Sequence, residues 1–441
     1  MTALVRSLCT AVLLLLSTFA RAEGGNAIYI HAGALLDRPG EVPRGASTII
    51  VRDERIEAVR DGHVPPQEGA RLIDLSQQFV LPGLIDLHVH IFSDDDKMRS
   101  RREQNNRDNE DVVLLGADNA RRTLEAGFTT IRDLGSNIRS VTALRDAINV
   151  RYMPGPTIVP AGRVIAITAG HGDPSNGTNR DITENVRARS DNLCDGADDC
   201  RRAVRMQISQ GAEVIKFAAT GGVNSNIAGG LKQQMFPDEM RAIVETAHMF
   251  GRRVAAHAHG ADGIRSALEA GVDTIEHGTY TDTSLHALYK DKGAWLVPTM
   301  MAPHAALAQA RAGDRSPASL VKGEEAAAVH ATNIAAAIKA GVKIAFGTDT
   351  GVSAHGLNAQ EFALLVSAGM SPAAAIQAAT ADAAIALDRA DQLGTIEPGK
   401  QADLIAVASS PLEDITELER VQFVMRRGFV HKLNGTRQAF P

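Results

Sequence analysis

Residues 79–90 read Phe-Val-Leu-Pro-Gly-Leu-Ile-Asp-Leu-His-Val-His, an apolar run that ends in two histidines. The run is short and bounded by a glycine, so it predicts a buried strand over Gly83–His90. Residues two apart in a strand share a face, so the imidazoles of His88 and His90 point the same way. A lone His-x-His pair is a weak signal of a metal site, and its meaning depends on the rest of the chain.

This strand is the first of a series. From about Leu81 to Ala386, short β-rich runs alternate with longer helical patterns, which is typical of βα units around a parallel sheet. Several helical patterns end in a glycine directly before the next strand, as expected of helix C-caps. Eight strands are what a closed (β/α)8 barrel requires, so the predicted fold class is α/β, a TIM barrel. The predicted strands are Gly83–His90, Thr129–Leu134, Thr157–Arg163, Val214–Thr220, Val254–His259, Thr274–His277, Trp295–Met300 and Ile344–Asp349.

The two ends of the chain show short alternating strands instead. Two unrelated β extensions would leave exposed strand edges, which proteins avoid. We therefore predict that residues 23–80 and 391–441 form one small composite β-sandwich domain beside a barrel of residues 81–390. The predicted strands of this domain are Ala27–His31, Ser47–Arg52, Arg55–Val59, Asp403–Ala408 and Val421–Lys432.

The first 22 residues have the pattern of a cleaved signal peptide. Arg6 precedes an apolar run from Cys9 to Ala20, and Ala20-Arg21-Ala22 offers small residues where a signal peptidase cleaves. A membrane anchor is the alternative, but the run is shorter than the ~20 apolar residues that a spanning helix needs. We predict a periplasmic or secreted protein without a stable membrane anchor.

Composition and charge exclude some classes of partner. The chain has 441 residues, of which 44% are hydrophobic and 22% charged, as in ordinary globular enzymes. Removal of the signal peptide, which holds two arginines, takes the formal net charge from -6 to -8 and leaves no block rich in Lys or Arg. Nucleic acid is therefore not an expected partner.

Two cysteines remain after cleavage. Cys194 and Cys200 are separated by Asp-Gly-Ala-Asp-Asp. Five intervening residues with a glycine can form a small closed loop, and an exported protein folds in an oxidising compartment. We predict a disulfide, with two free thiols or a metal clip as the alternatives.

Polar residues occur at corresponding places in five predicted barrel strands. Sites in this fold lie at the C-terminal ends of the strands. Taken singly, each residue has a structural interpretation: Lys216 could pair with an acid, and Asp349 could be a helix N-cap. Their joint occurrence at strands one, four, five, six and eight favours a metal site. The candidate ligands are His88, His90, Lys216, His257, His277 and Asp349.

These residue types suit a zinc site. Neutral imidazoles and carboxylates are good zinc ligands, and catalytic zinc keeps an open or water-filled position. A buried lysine is awkward as a cation, because desolvation favours the neutral amine. A neutral amine can react with carbon dioxide to give a carbamate, whose two oxygens can bridge two metal ions. Lys216 could therefore act as a ligand.

This ligand set, together with residues 79–90 and Gly394–Leu404, resembles the binuclear zinc branch of the amidohydrolase superfamily. Ile215-Lys216, Thr220-Gly221-Gly222-Val223, His257-Ala258-His259-Gly260 and Glu276-His277-Gly278 are similar to its secreted Xaa-Pro dipeptidase- and carboxypeptidase-like members, which include bacterial ochratoxin-A-hydrolysing amidohydrolases. The resemblance covers essentially the whole chain after the signal peptide. It implies a hydrolase on a TIM barrel, assembled as a homo-oligomer such as an octamer.

The resemblance also implies a role for each ligand. His88 and His90 would bind the more buried of two divalent metal ions, with zinc as the default. His257 and His277 would bind the more exposed ion. Lys216, modified to N6-carboxylysine by carbon dioxide, would bridge the two ions.

The implied reaction is cleavage of the amide bond to a C-terminal amino acid in dipeptides or N-acyl amino acids, with ochratoxin A, split into ochratoxin alpha and phenylalanine, as one candidate. A hydroxide bridging the metals would attack the carbonyl, and Asp349 would pass a proton to the leaving nitrogen. His171 and His259 are candidates to bind the substrate carbonyl or carboxylate. The alternatives are a loop residue without contacts for His171 and support of a ligand for His259.

Other substrates and roles remain open at this stage. A lactonase, an organophosphate hydrolase or a cyclic-amide hydrolase could use the same site, because fold and metals do not determine the substrate. A catalytically silent barrel is disfavoured by the complete ligand set. We expect the loops after strands one, three and seven, including Phe92–Asp96 and Met300–His304, to shape the pocket.

Overall fold

The structure is a computed structural model that describes residues 27–93, 108–176, 179–188, 190–225, 229–313 and 317–440. The predicted signal peptide, residues 1–22, therefore lies outside the described residues, as do residues 94–96 of a predicted pocket loop. None of the helices in the described ranges is long and apolar enough to cross a membrane.

Strands predominate at both chain ends, and strands alternate with helices between them. The strands are β1 Ile28–Leu35, β2 Ser47–Arg52, β3 Arg55–Asp61, β4 Arg71–Pro82, β5 Leu84–Val89, β6 Phe128–Asp133, β7 Thr157–Pro160, β8 Val214–Ala218, β9 Arg253–Ala258, β10 Thr274–His277, β11 Trp295–Val297, β12 Leu404–Val407, β13 Phe423–Arg426, β14 Phe429–Leu433 and β15 Thr436–Arg437. The α-helices are α1 Asn109–Glu125, α2 Ile138–Asn149, α3 Arg180–Ala188, α4 Ala197–Ser209, α5 Pro237–Met249, α6 Ala261–Ala270, α7 Thr283–Lys292, α8 Met301–Arg311, α9 Pro317–Lys339, α10 Gln360–Ser367, α11 Pro372–Ala378 and α12 Ala381–Ala386, and a 3-10 helix covers Ile415–Arg420.

The two chain ends share one eight-stranded sheet, ordered β15-β14-β13-β12-β4-β1-β2-β3. The ends meet where β12 pairs antiparallel with β4, with Leu404 opposite Pro82. We predicted that both chain ends contribute to one β-rich unit, and they share this sheet. The prediction of a single strand over Val421–Lys432 was wrong. This run divides into β13 and β14 because Arg427 and Gly428 both adopt positive φ and turn the chain.

Two parallel sheets follow the order of the chain: β5-β6-β7 and β8-β9-β10-β11. All seven strands overlap predicted ones. The predicted strand Ile344–Asp349 was wrong, because this segment does not form a regular ladder. Its Ala345 N–H donates to Leu296 O (3.0 Å) and its Phe346 O accepts from Leu87 N–H (3.0 Å), but the Phe346 N–H turns away to Ala378 O. The segment thus lies between β11 and β5 without being a strand of either sheet.

Helices cover the outer faces of the parallel strands, and the packing between them forms the largest apolar core, with Phe128, Ile215 and Phe346 fully buried. The helix ends follow the predicted glycine pattern. For example, Gly271 ends α6 in the left-handed conformation, at φ 92°, which costs glycine little. The chain thereby returns to the sheet within a few residues. Because the paired strands are parallel, their C-terminal ends lie at the same edge of each sheet.

The predicted disulfide is confirmed. Cys194 and Cys200 are bonded, with their Cα atoms 4.8 Å apart. Both are fully buried and lie just before and within the first turn of α4. The bond therefore closes a short loop against the core that also packs on the parallel strands.

Candidate active site

A cavity lies at the C-terminal ends of the parallel strands and encloses about 750 Å³, counting its open mouth. Every residue that the sequence nominated for the site lines this cavity, although the chain places them up to 261 positions apart. These residues are His88, His90, His171, Lys216, His257, His259, His277 and Asp349.

Two of these side chains depend on an unusual backbone conformation. His277 ends β10 with φ 72°, and Asp349 follows the irregular segment with φ 58°. Positive φ is disfavoured for residues with a Cβ by about 1–3 kcal/mol, so the surrounding structure must hold it. The Asp349 N–H donates to His88 O at 2.7 Å, which ties the segment to the end of β5.

Within the described part of the chain, two groups of side chains could hold a metal ion. His257, His259 and His277 form one group, and His88, His277 and Asp349 form the other, with ligand atoms within 4.8 Å of one another in each. His90 adjoins the second group, because its Nε2 lies 3.2 Å from Asp349 Oδ1. His259, which was nominated for substrate binding, therefore lies within the same 4.8 Å limit of the candidate ligands His257 and His277.

The imidazoles are in the form that binds metals. Burial lowers the pKa of His88 to about 4 and that of His259 to about 3, and it lowers the pKa of His257 and of His277 well below the usual range. Neutral imidazoles keep a lone pair for a metal ion. Burial alone would raise the pKa of Asp349, but the neighbouring His88 and His90 hold it well below its usual range, so it remains a carboxylate.

Lys216 is a buried lysine that lines the cavity. Its side chain is 2% exposed, and its Nζ has no hydrogen-bond partner among the described residues. Burial lowers its pKa to about 8, which brings the neutral amine within reach of physiological pH. A buried amine without a partner, surrounded by ligand groups, fits a role in binding metal ions.

The protonation of His277 follows from its neighbours. The Thr299 hydroxyl donates to Pro298 O at 2.7 Å, so its oxygen accepts from His277 Nδ1, also at 2.7 Å. The proton therefore lies on Nδ1, and Nε2 is left with the lone pair. Nε2 is the nitrogen that lies 3.0 Å from His257 Nδ1, inside the cavity.

A buried network that sequence reasoning missed holds His88. The Glu276 carboxylate accepts from His88 Nδ1 at 2.8 Å and from Arg132 Nη2 at 2.7 Å. The Arg132 Nε also donates to Leu87 O, next to His88. All of these side chains are fully buried. The only signal in the sequence was that Arg132 and Glu276 each lie within a predicted barrel strand.

A second buried carboxylate secures the irregular segment. Asp86 accepts from the His88 N–H at 3.0 Å, from the Thr348 hydroxyl at 2.7 Å and from Asn358 Nδ2 at 2.8 Å. Burial raises its pKa to about 6. Asp86 thus joins the end of β5 to the residues preceding Asp349, and so fixes two sides of the site relative to each other.

Part of the cavity lining, which we call the apolar wall, consists of small apolar side chains. Ala302, Pro303 and Ala306 from α8 and Ala326 from α9 line it. The Glu361 carboxylate accepts from the Met300 and Met301 N–H groups (2.7 and 2.8 Å) and so fixes the start of α8. The nominated loop Met300–His304 therefore does contribute to the cavity, as the first turn of a helix.

The comparisons with known proteins agree with this geometry. The amidohydrolase family model matches residues 79–430. The chain belongs to the amidohydrolase family. The ochratoxinase of Aspergillus niger is 34% identical over 426 residues, which cover 92% of this chain and 87% of that protein. Its crystal structure superposes with a TM-score of 0.81 at 31% identity, covering 93% of this chain and 97% of the other.

Two further solved structures resemble the chain closely. A Xaa-Pro dipeptidase with methionine bound in its active site has a TM-score of 0.87 at 36% identity, covering 92% of this chain and 100% of the other. A prolidase in complex with N-methylphosphonate-L-proline has a TM-score of 0.83 at 30% identity, covering 94% and 100%. The predicted family is confirmed, and the chain is a hydrolase that acts on amide bonds.

Proposed function

We propose that this amidohydrolase is a binuclear, zinc-dependent enzyme that cleaves the amide bond to a C-terminal amino acid, as a carboxypeptidase or dipeptidase does. The observation that carries the proposal is Lys216: its Nζ is buried without a hydrogen-bond partner in the described chain, among neutral imidazoles and beside the Asp349 carboxylate. A purely structural buried lysine would donate hydrogen bonds to a buried partner, and a mononuclear site would not need a lysine at this position.

In this proposal the cavity residues divide between two ions. His88 and His90 would hold one ion, and His257 and His277 would hold the other. Lys216, as a neutral amine, would take up carbon dioxide with loss of a proton and so supply an anionic carbamate ligand that offsets the charge of the ions. Divalent ions held here would lower the pKa of a water molecule and polarise the substrate carbonyl.

Asp349 would carry the proton during the reaction. It stays ionised, and its Oδ1 is buried without a hydrogen-bond partner among the described residues, so this oxygen would be available to accept a proton from the attacking water. It would then deliver that proton to the leaving nitrogen, because an amine leaves an amide poorly as an anion. His171 and His259 line the same cavity and would hold the substrate carbonyl or carboxylate.

The apolar wall suggests the substrate class. Small side chains at Ala302, Ala306 and Ala326 leave room for an apolar group next to the scissile bond. One relative is a dipeptidase with methionine in its active site and another is an ochratoxinase. We therefore propose dipeptides and N-acyl amino acids with an apolar residue as substrates, and ochratoxin A, split into ochratoxin alpha and phenylalanine, as one of them.

For the scaffold, we propose that both parallel sheets and residues 344–350 close into a (β/α)8 barrel. The Glu213 N–H donates to Pro160 O at 2.8 Å between β7 and β8, and the bonds of the irregular segment to Leu296 and Leu87 support closure on the other side. Residues 81–390 would be the barrel domain and residues 23–80 with 391–441 the composite domain. We also predict that the protein is exported and that it forms a homo-oligomer. Mass analysis of the secreted protein can test both predictions.

The test is a turnover screen of the zinc-loaded enzyme by mass spectrometry, with metal analysis of the same sample. The panel holds dipeptides, N-acyl amino acids, ochratoxin A, a lactone and a phosphotriester, and Asp349→Asn is the control. We expect about two metal ions per chain, as in binuclear sites, and release of a C-terminal amino acid by the wild type alone. Turnover of the lactone or phosphotriester without amide cleavage would contradict the proposed substrate class.

A further inference from the structure

Helix α9 carries a buried lysine that the proposed reaction does not use. Lys322 is 8% exposed, and its Nζ donates to Gly222 O at 2.8 Å and to Ser225 O at 2.5 Å. The two residues between these carbonyls, Val223 and Asn224, line the active-site cavity. Lys322 therefore reaches into the loop that forms the rim of the cavity.

Two further observations relate Lys322 to the cavity. Ala326 follows Lys322 by four residues, so it lies on the same face of α9, and Ala326 lines the cavity. Gly222 packs on the imidazole of His171, because an added Cβ there would lie 2.5 Å from His171 Cε1. The peptide that Lys322 binds thus touches a side chain nominated to hold the substrate.

The charge of Lys322 lacks a balancing anion in the part of the chain that is described. Burial is the one influence on its pKa, which it lowers, and no described carboxylate offsets it. Carbonyls occupy two of the three ammonium donors, so one donor remains. A buried charge is costly unless it is paired. A ligand with a carboxylate would supply the missing partner and favour the charged amine.

We propose that Lys322 binds the free carboxylate of the substrate and so restricts the enzyme to amides of a C-terminal amino acid. The inference rests on the proposed function and deepens it by naming the group that is recognised. The charged side chains that line the cavity, Lys216 and Asp349, belong to the metal and proton machinery of the proposal. Lys322 lies behind this lining, on the carbonyls that flank Val223 and Asn224, and is the cation that we assign to an anionic substrate.

The test compares substrates that differ only in this charge. Release of phenylalanine from N-acetyl-phenylalanine, and of phenylalanine amide from N-acetyl-phenylalanine amide, gives kcat/KM for each. Calorimetric titration with phenylalanine and with phenylalanine amide gives the same comparison for binding alone. The variants are Lys322→Met, Lys322→Arg, which keeps the charge, and Lys339→Met, which removes an exposed charge from the same helix.

We expect the wild type to prefer the acid on the order of 10- to 100-fold, as for one charge-assisted hydrogen bond. Lys322→Met should abolish this preference mainly by slowing the acid, whereas Lys322→Arg and Lys339→Met should retain it. Equal losses for acid and amide in Lys322→Met would overturn the inference and leave Lys322 as a brace for the loop. Absence of any preference in the wild type would overturn it as well.

Two further outcomes separate this inference from the proposed function. A Lys322-dependent preference in binding without any turnover would overturn the function and support the carboxylate site. Absence of both binding and turnover would overturn both. If Lys322→Met does not fold, Lys322→Gln replaces it, because its amide can still donate to Gly222 O or Ser225 O. A preference that persists in Lys322→Gln would overturn the inference.

Discussion

Replacement of Glu276 by glutamine tests whether the buried network behind His88 determines how His88 binds metal. The carboxylate oxygen Oε1 faces two donors: Arg132 Nη2 at 2.7 Å and the hydroxyl of Thr274. The other oxygen, Oε2, faces His88 Nδ1 at 2.8 Å. In the wild type both oxygens accept, so His88 carries its proton on Nδ1 and keeps its Nε2 lone pair for the cavity.

Glutamine has nearly the same shape as glutamate, but only one of its two terminal atoms is an acceptor. It can therefore keep the hydrogen bond with only one of the two partners, Arg132 or His88. Arginine has no acceptor, so the amide oxygen must face Arg132 and the amide NH2 must face His88. The His88 Nδ1 must then accept, which moves the proton to Nε2. This nitrogen lies 3.6 Å from Asp349 Oδ1 and is the one that the site would use for metal. The substitution therefore removes a ligand without touching the cavity.

The expected effects are large on both metal binding and stability. Loss of a partner that orients a metal-bound histidine typically costs 10- to 100-fold in affinity, or about 1.4–2.8 kcal/mol. Leaving one member of a buried ion pair without its counter-charge costs about 3–5 kcal/mol, and we expect the lower end because the amide still accepts from Arg132. By contrast, the Arg52–Glu57 pair is about 40% exposed on each side, and such pairs contribute only about 0–1 kcal/mol.

Urea unfolding of the metal-free proteins and zinc titration with a competing chelator would measure the two effects separately. Glu57→Gln is the matched control, since it also replaces a paired glutamate by its amide. Zinc affinity of Glu276→Gln within twofold of the wild type would refute the tautomer argument. A loss of stability no larger than that of Glu57→Gln would refute the argument that Arg132 depends on Glu276.

Four other substitutions test separate parts of the site and fold. Asp349→Asn should fold normally but lower kcat by ~10²–10⁴-fold in steady-state assays, because an amide cannot take up the proton. Lys216→Arg should lower the metal content measured by mass spectrometry, because a guanidinium stays charged and forms no carbamate, whereas Lys339→Arg should not. Ala306→Phe should lower kcat/KM for N-acetyl-phenylalanine more than for N-acetyl-glycine, because it fills the apolar wall; equal losses would contradict that role. Cys194→Ser opens a short loop and should lower the free energy of unfolding in urea by about 2 kcal/mol.

Most of the parallel strands and all of the nominated cavity residues could be predicted because local rules apply to them. Alternation, glycine C-caps and the position of sites at C-terminal strand ends each depend on a few neighbouring residues. The strand β4, Arg71–Pro82, escaped prediction because Ser76, Gln77 and Gln78 interrupt its apolar pattern. The segment Ile344–Asp349 has the composition of a strand, but its backbone bonds depend on Ala378, which follows much later in the chain.

The residues that escaped prediction act through partners that are remote in sequence. Arg132 and Glu276 are separated by 144 positions, and Lys322 lies 100 positions after Gly222. In each case the partner group, a carboxylate or a backbone carbonyl, is buried, and a buried group requires a hydrogen-bond partner wherever the fold can supply one. A charged residue inside an apolar strand or on a buried helix face therefore predicts that such a partner exists, but only the packing identifies it. The residues that line the cavity could be predicted from their positions at strand ends. The side chains that orient His88 and that hold the loop after β8 could be identified only from the packing in the structure.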